Sequence, residues 1–212
     1  MPAFQASLLD QTGPGSLGPR LGQLGERVQR VELGDGAWVD LRRHWIEGSD
    51  EVFLRLVESV PWRAERRRMY DRVVDVPRLV RFYRSGEPLP HPLLAEARDA
   101  LSRHYARELG EPFTSAGMCL YRDGNDSVAW HGDRDGRGAT TDTMVAIVSL
   151  GSPRRLSLRP RGGGAPRAYT IGHGDLLVMG GSCQRTWEHA VLKTSKPVGP
   201  RISVQFRPAG VR

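Results

Sequence analysis

His131, Gly132 and Asp133 put an imidazole and a carboxylate two residues apart, and in an extended chain residues so spaced point to the same side. His189, in a later segment that also reads as a strand, supplies a second imidazole. Two histidines and one carboxylate with open coordination positions are the ligand set of non-haem Fe(II) centres that activate dioxygen. Three vacant positions leave room for a bidentate cosubstrate and O2. Taken alone, His-x-Asp is a common pattern, and a surface turn plus one core histidine would account for the same three residues. Arg201 and Arg207 form a second candidate group. They lie six residues apart in Arg201-Ile202-Ser203-Val204-Gln205-Phe206-Arg207, so as a strand this segment puts both arginines on one face and Ile202, Val204 and Phe206 on the other. An inward arginine needs an anion, and its planar fork grips a carboxylate through two parallel hydrogen bonds. A solvated strand face is the alternative for the pair.

The elements that would carry these residues are short strands. After Glu111 the apolar pattern alternates or forms short buried runs punctuated by glycine and proline, which predicts strands over 116–122, 127–131, 143–150, 155–159, 168–171, 175–179, 188–192 and 202–206. Eight such strands suggest a double-sheet roll. The front half reads differently. Val31 and Leu33 run into Gly34-Asp35-Gly36, and Trp38, Val39 and Leu41 follow, as in a hairpin. Residues 50–60 carry helical spacing, with Ser49 placed to cap and Pro61 to stop the helix. Residues 93–109 form a stronger helix, opened by Pro92 and closed by Gly110. The expected fold is thus α+β: a jelly roll, or double-stranded β-helix, with covering helices and an N-terminal extension. The expected organisation is an irregular arm over 1–25, a helix-rich support region over 26–110, and a roll over 111–212, all in one domain.

The 212 residues carry 31 basic and 24 acidic side chains, a net charge of +7, and nearly all the positive charge is arginine. Two basic runs, Arg63, Arg66, Arg67 and Arg68, and Arg154, Arg155, Arg159 and Arg161, could track phosphates; a solvated face explains either equally well. Two cysteines are too few for a disulfide framework. The start of the chain lacks a basic segment followed by an apolar run, and no apolar stretch is long enough to span a bilayer. The sequence-level expectation is a cytoplasmic monomer without a membrane partner.

Several ordered segments resemble the AlkB family of Fe(II)- and 2-oxoglutarate-dependent dioxygenases: Leu120 through Asp133, Val148-Ser149-Leu150-Gly151, Gly174 through Gly181, Gln184 through His189, and Gly199 through Arg207. The likeness is dense over 113–208 and looser at Pro61-Trp62 and Met69-Tyr70, in the family's nucleotide-recognition region. It implies Fe(II) on His131, Asp133 and His189, with Tyr121 and Arg201 on the distal carboxylate of 2-oxoglutarate and Arg207 supporting the carboxylate nearest the metal. Ser203 lies between the two arginines, and Cys119 stands two residues before Tyr121. Both replace asparagines found in many members, which weakens the expected grip on the cosubstrate. For substrate binding the resemblance points to Asp135 on the exocyclic edge of a base and calls for a stacking aromatic, for which Tyr83 and then Trp62 are the candidates, with ordinary core packing the alternative for either; Arg161, from the second basic run, is the candidate for phosphate contact at the rim. The implied reaction uses Fe(II), 2-oxoglutarate and O2 to demethylate N-alkylated bases in DNA, single-stranded by preference. The same chemistry on RNA or protein, or a basic nucleic-acid-binding module without turnover, are the competing readings.

Overall fold

The computed structural model describes residues 18–69, 72–133 and 136–211. Strands β1 (Arg20–Leu21), β2 (Gln29–Gly34), β3 (Ala37–Arg42) and β4 (Ile46–Glu47) precede helix α1 (Ser49–Ser59). Strands β5 (Arg63–Met69) and β6 (Arg72–Tyr83) follow, then α2 (Pro92–His104) and α3 (Ala106–Leu109). The rest comprises β7 (Phe113–Tyr121), β8 (Val128–His131), β9 (Val145–Gly151), β10 (Arg154–Pro160), β11 (Arg167–Ile171), β12 (Asp175–Gly181), α4 (Cys183–Thr186), β13 (Trp187–Val191) and β14 (Arg201–Pro208). The eight strands expected after Glu111 are β7 to β14, with ends moved by at most three residues.

An eight-stranded sheet runs in the order β2-β3-β12-β9-β14-β7-β6-β5, and a four-stranded sheet in the order β11-β10-β13-β8. Strand alternation divides the apolar residues between two layers. Outward from the large sheet, Ile202, Val204 and Phe206 of β14 meet Phe53 and Leu56 of α1 and Leu94 and Leu101 of α2. Between the sheets, Tyr121, Ile147 and Leu177 meet Leu158, Trp187 and Val191. This is the jelly roll with covering helices, and burying each large apolar side chain contributes about 1.5–3 kcal/mol. Close packing leaves no room at Gly180, where a Cβ would lie 2.2 Å from the Trp38 ring. No helix among the described residues is long and apolar enough to cross a membrane.

Three local expectations change. The span 26–110 is less helical than its sequence suggests, because β5 and β6 form a hairpin that extends the large sheet beyond β7. The N-cap position of α1 is taken by Gly48 in the left-handed region at φ 68°, and Ser49 is the first helical residue; Gly48 packs on Pro19, where a Cβ would come within 3.1 Å. The helix expected over 93–109 breaks at Tyr105. That side chain is buried, and its hydroxyl donates to Asp40 Oδ2 at 2.9 Å. The predicted N-terminal arm falls largely on residues 1–17, outside those described.

Candidate metal centre and cosubstrate site

His131 on β8 and His189 on β13 stand directly opposite each other in the small sheet, with ring centroids 4.2 Å apart. Asp133 follows β8 after Gly132. One ligating atom from each of the three residues falls within 4.8 Å of the others. His131 Nδ1 lies 2.8 Å from the Ala129 carbonyl; donating there leaves Nε2 as a free acceptor, 3.8 Å from Asp133 Oδ1. The Asp133 backbone N–H donates to Gln184 Oε1 at 3.0 Å. Its other carboxylate oxygen, Oδ2, accepts from Arg207 Nε at 2.8 Å. A side chain at Gly132 would collide with the Gln184 carbonyl at 2.8 Å, so the His-Gly-Asp turn is held close to the start of β13.

The electrostatics suit a divalent cation. Burial alone would raise the Asp133 pKa, but the Arg207 guanidinium and the two imidazoles outweigh it and hold the carboxyl at about 2. Burial, reinforced by the neighbouring His131 and Arg207 and opposed by Asp133, pushes His189 down to about 3. At neutral pH the centre therefore presents a neutral His189 imidazole and a carboxylate, the forms that bind metal.

The face of β14 turned to the small sheet carries Arg201, Ser203, Gln205 and Arg207. Arg201 is only 1% exposed. It pairs in register with Tyr121, its Nε donates to Ser149 Oγ at 2.9 Å, and its guanidinium carbon lies 5.3 Å from the centre of the Tyr121 ring. Nη1 of Arg201 is buried without a hydrogen-bond partner among the described residues. A buried cation with an orphaned donor calls for an anion. The distal carboxylate of 2-oxoglutarate fits this need, while the triad fits its chelating end. Burial raises the Tyr121 pKa, so that hydroxyl stays protonated and can donate to the same carboxylate. Ser203 also faces inward, but its Oγ accepts from Gln205 Nε2 at 2.6 Å.

A cleft of about 970 Å³ reaches from His131, Asp133 and Arg207 to Phe82, Trp130 and Arg78, under the β5–β6 hairpin. The expected substrate residues divide here. Arg161 is exposed, with Nη1 3.5 Å from Glu188 Oε1, and its Nη2 would lie 3.0 Å from a Cβ at Gly132. Asp135 lies outside the described residues. Tyr83 is 5% exposed and belongs to the core beneath the helices, and Trp62 packs against that core; neither lines the cleft. The neighbouring Phe82 does, at 40% exposure. On β6, Val80 and Phe82 pair with Cys119 and Gly117 and share their inner face, whereas Tyr83 pairs with Ala116 on the helix side. Strand alternation at 79–83 is the signal that would have picked Phe82 over Tyr83.

Arg78, Trp130 and Gln205 are further lining residues not singled out from sequence. Of the second basic run, Arg154 cannot track phosphates: it is 4% exposed and donates to the carbonyls of Asp123, Asp126 and Leu192. Arg159 is committed to Glu188 and stacks over Trp130 at 4.4 Å.

Comparison with known proteins agrees with this geometry. The family model described as the 2OG-Fe(II) oxygenase superfamily matches residues 46–207. "Alpha-ketoglutarate-dependent dioxygenase alkB homolog 3" of Bos taurus is 30% identical over 200 residues, covering 85% of this chain and 66% of that protein. "DNA oxidative demethylase ALKBH2" of Arabidopsis thaliana is 32% identical over 139 residues, covering 55% of this chain and 43% of its own. The chain thus spans somewhat less than two thirds of the first relative's length and under half of the second's. Among solved structures, OsALKBH1 shares the fold with a TM-score of 0.57 at 14% identity, covering 84% of this chain and 100% of its own. With the matched span, the His-Asp-His centre and the buried arginine in place, this chain belongs to the AlkB family within the 2OG-Fe(II) oxygenase superfamily.

Proposed function

We propose that this dioxygenase removes alkyl groups from nucleobases, with single-stranded DNA as its substrate. The observation that carries the reading is the cleft. It runs from the metal ligands to the exposed ring of Phe82, past Trp130, with Arg84 and Lys193 along it. Aromatic faces receive bases whatever their sequence, and cations track the backbone. A target base must leave the stack, at a cost of a few kcal/mol that is least in single strands or at damaged positions. The two relatives named above, a dioxygenase and a DNA oxidative demethylase, support the same chemistry.

Bound Fe(II), 2-oxoglutarate and O2 would supply the oxidising power that hydroxylates the carbon on the base nitrogen, after which the alkyl group leaves as an aldehyde. The chain's own residues position the parts. Arg207 keeps Asp133 ionised and oriented, Arg201 and Tyr121 anchor the cosubstrate, and Phe82 and Trp130 offer surfaces for the base. The test is formaldehyde release from a single-stranded oligonucleotide containing 1-methyladenine or 3-methylcytosine, run beside the equivalent RNA. Release from DNA that requires Fe(II), 2-oxoglutarate and His131 is expected. Release from RNA alone would move the substrate, and succinate formation without aldehyde from either would overturn the nucleic-acid reading.

A further inference from the structure

Tyr121 is flanked by arginines on both neighbouring strands. Arg201 faces it from β14. On β6 the pairs Val80 with Cys119 and Leu79 with Leu120 bring Arg78 one step further along, level with Tyr121. Arg78 lines the cleft. Its Nε donates to Cys119 Sγ at 3.3 Å and its Nη1 to the Ser127 carbonyl at 3.1 Å. Cys119 stands opposite Ser203 on β14 and shares the inner face with Tyr121, two residues on. Ser127 immediately precedes β8, whose other end carries the ligand His131. Arg78 thus closes the inter-sheet gap at the end away from the metal ligands.

A third guanidinium, that of Arg154, lies 5.6 Å from the Tyr121 ring. Among the described residues, the hydrogen-bond partners of these three arginines are neutral. Arg201 uses the hydroxyls of Ser149 and Tyr121, Arg154 three backbone carbonyls, and Arg78 a thiol and a carbonyl. Glu65 on β5 acts on Arg78 through space. Cations held by neutral acceptors keep most of their attraction for an added anion. Arg154 has both Nη atoms engaged, whereas the hydrogen bonds of Arg78 come from Nε and Nη1, leaving its Nη2 without a partner among the described residues.

We propose that Arg78 is a cosubstrate-binding residue, gripping the distal carboxylate of 2-oxoglutarate from β6 while Arg201 and Tyr121 hold it from the other side. This second guanidinium offsets the short donors that Cys119 and Ser203 present along the same path. The inference concerns the cosubstrate alone and stands or falls independently of the nucleic-acid substrate.

The test measures binding rather than turnover, on the full chain loaded with redox-inert Mn(II). Dissociation constants are determined for 2-oxoglutarate and for 2-oxobutyrate, which lacks the distal carboxylate, in the wild type, Arg78→Met and Arg78→Lys. Loss of a charge-assisted hydrogen bond in Arg78→Met should weaken 2-oxoglutarate about tenfold or more and leave 2-oxobutyrate within about twofold. Arg78→Lys, which keeps charge but not the fork, should fall between. Equal weakening of both ligands would assign Arg78 to the scaffold, and no change in either would remove it from the cosubstrate site. If Arg78→Met does not fold, the ratio of the two constants in Arg78→Lys decides: a selective loss supports the assignment, and an unchanged ratio overturns it.

Discussion

His189 gives the metal-free protein a defined acid sensitivity. The folded protein holds this imidazole neutral until about pH 3, whereas in the unfolded chain it takes a proton near 6.5. Between those values the unfolded state binds more protons, so stability is intact above the unfolded pKa and is lost as pH falls through the window. At pH 5 the loss is about 2 kcal/mol. That figure is set by the unfolded pKa as long as the folded value stays well below the measuring pH. With a urea slope of about 2 kcal/mol/M it amounts to a midpoint shift of about 1 M. The assay is urea unfolding of chelator-treated protein at pH 7 and pH 5, for the wild type and for His189→Asn, which cannot titrate. Burial also lowers the pKa of His91, but that group is present in both proteins and cancels in the comparison. The pH-dependent midpoint shift of the wild type should exceed that of the variant by about 1 M. Equal shifts in both proteins would refute the claim that His189 is held neutral in the centre.

Other perturbations follow from the same geometry. Arg207→Met frees Asp133 Oδ2 and should weaken Mn(II) binding by about 10–100-fold at neutral pH, read by metal titration; unchanged affinity would show that Asp133 orients itself. Gly180→Ala places a Cβ 2.2 Å from the Trp38 ring and should cost about 3 kcal/mol in denaturant unfolding; a cost under about 0.5 kcal/mol would mean that Trp38 yields freely. Phe82→Ala should weaken binding of a single-stranded oligonucleotide by about 1–3 kcal/mol in a fluorescence titration while 2-oxoglutarate affinity holds. Tyr83→Ala, by contrast, opens the helix-side core and should lower stability by about 3–5 kcal/mol, by analogy with other large aromatic truncations. If Tyr83→Ala instead stays stable and loses oligonucleotide binding, the two residues have been assigned the wrong way round.

The second half of the fold was legible because its strands keep a period of two and are separated by glycine or proline. Arg201 and Arg207 could be put on one face for the same reason, and the apolar layer formed by Ile202, Val204 and Phe206 bears this out. The β5–β6 hairpin was not legible. Its first strand reads Arg-Ala-Glu-Arg-Arg-Arg-Met, without apolar alternation, and its second carries apolar residues on both faces with Pro77 inside it. Without the hairpin the inner face of β6 cannot be separated from the outer, and the sequence offers Tyr83 as readily as Phe82 or Arg78. At the break, Tyr105 sends its hydroxyl to Asp40, 65 residues away, a contact of which local periodicity holds no trace. Arg154 misled for a simpler reason: grouped by charge it looks like its neighbours, but it shares the buried face of β10 with Leu156 and Leu158, while Arg155 and Arg159 point outward.

The most direct test of the account counts two products from one reaction. Wild-type protein is incubated in air with Fe(II), 2-oxoglutarate and a single-stranded oligonucleotide carrying 3-methylcytosine, and both succinate and unmethylated cytosine are quantified by mass spectrometry. Succinate and repaired base should appear in equal amounts, and both should disappear in Asp133→Ala, whose substitution removes the carboxylate from the metal centre. Repair that survives in Asp133→Ala, or succinate that accumulates with the methyl group still in place, would contradict this.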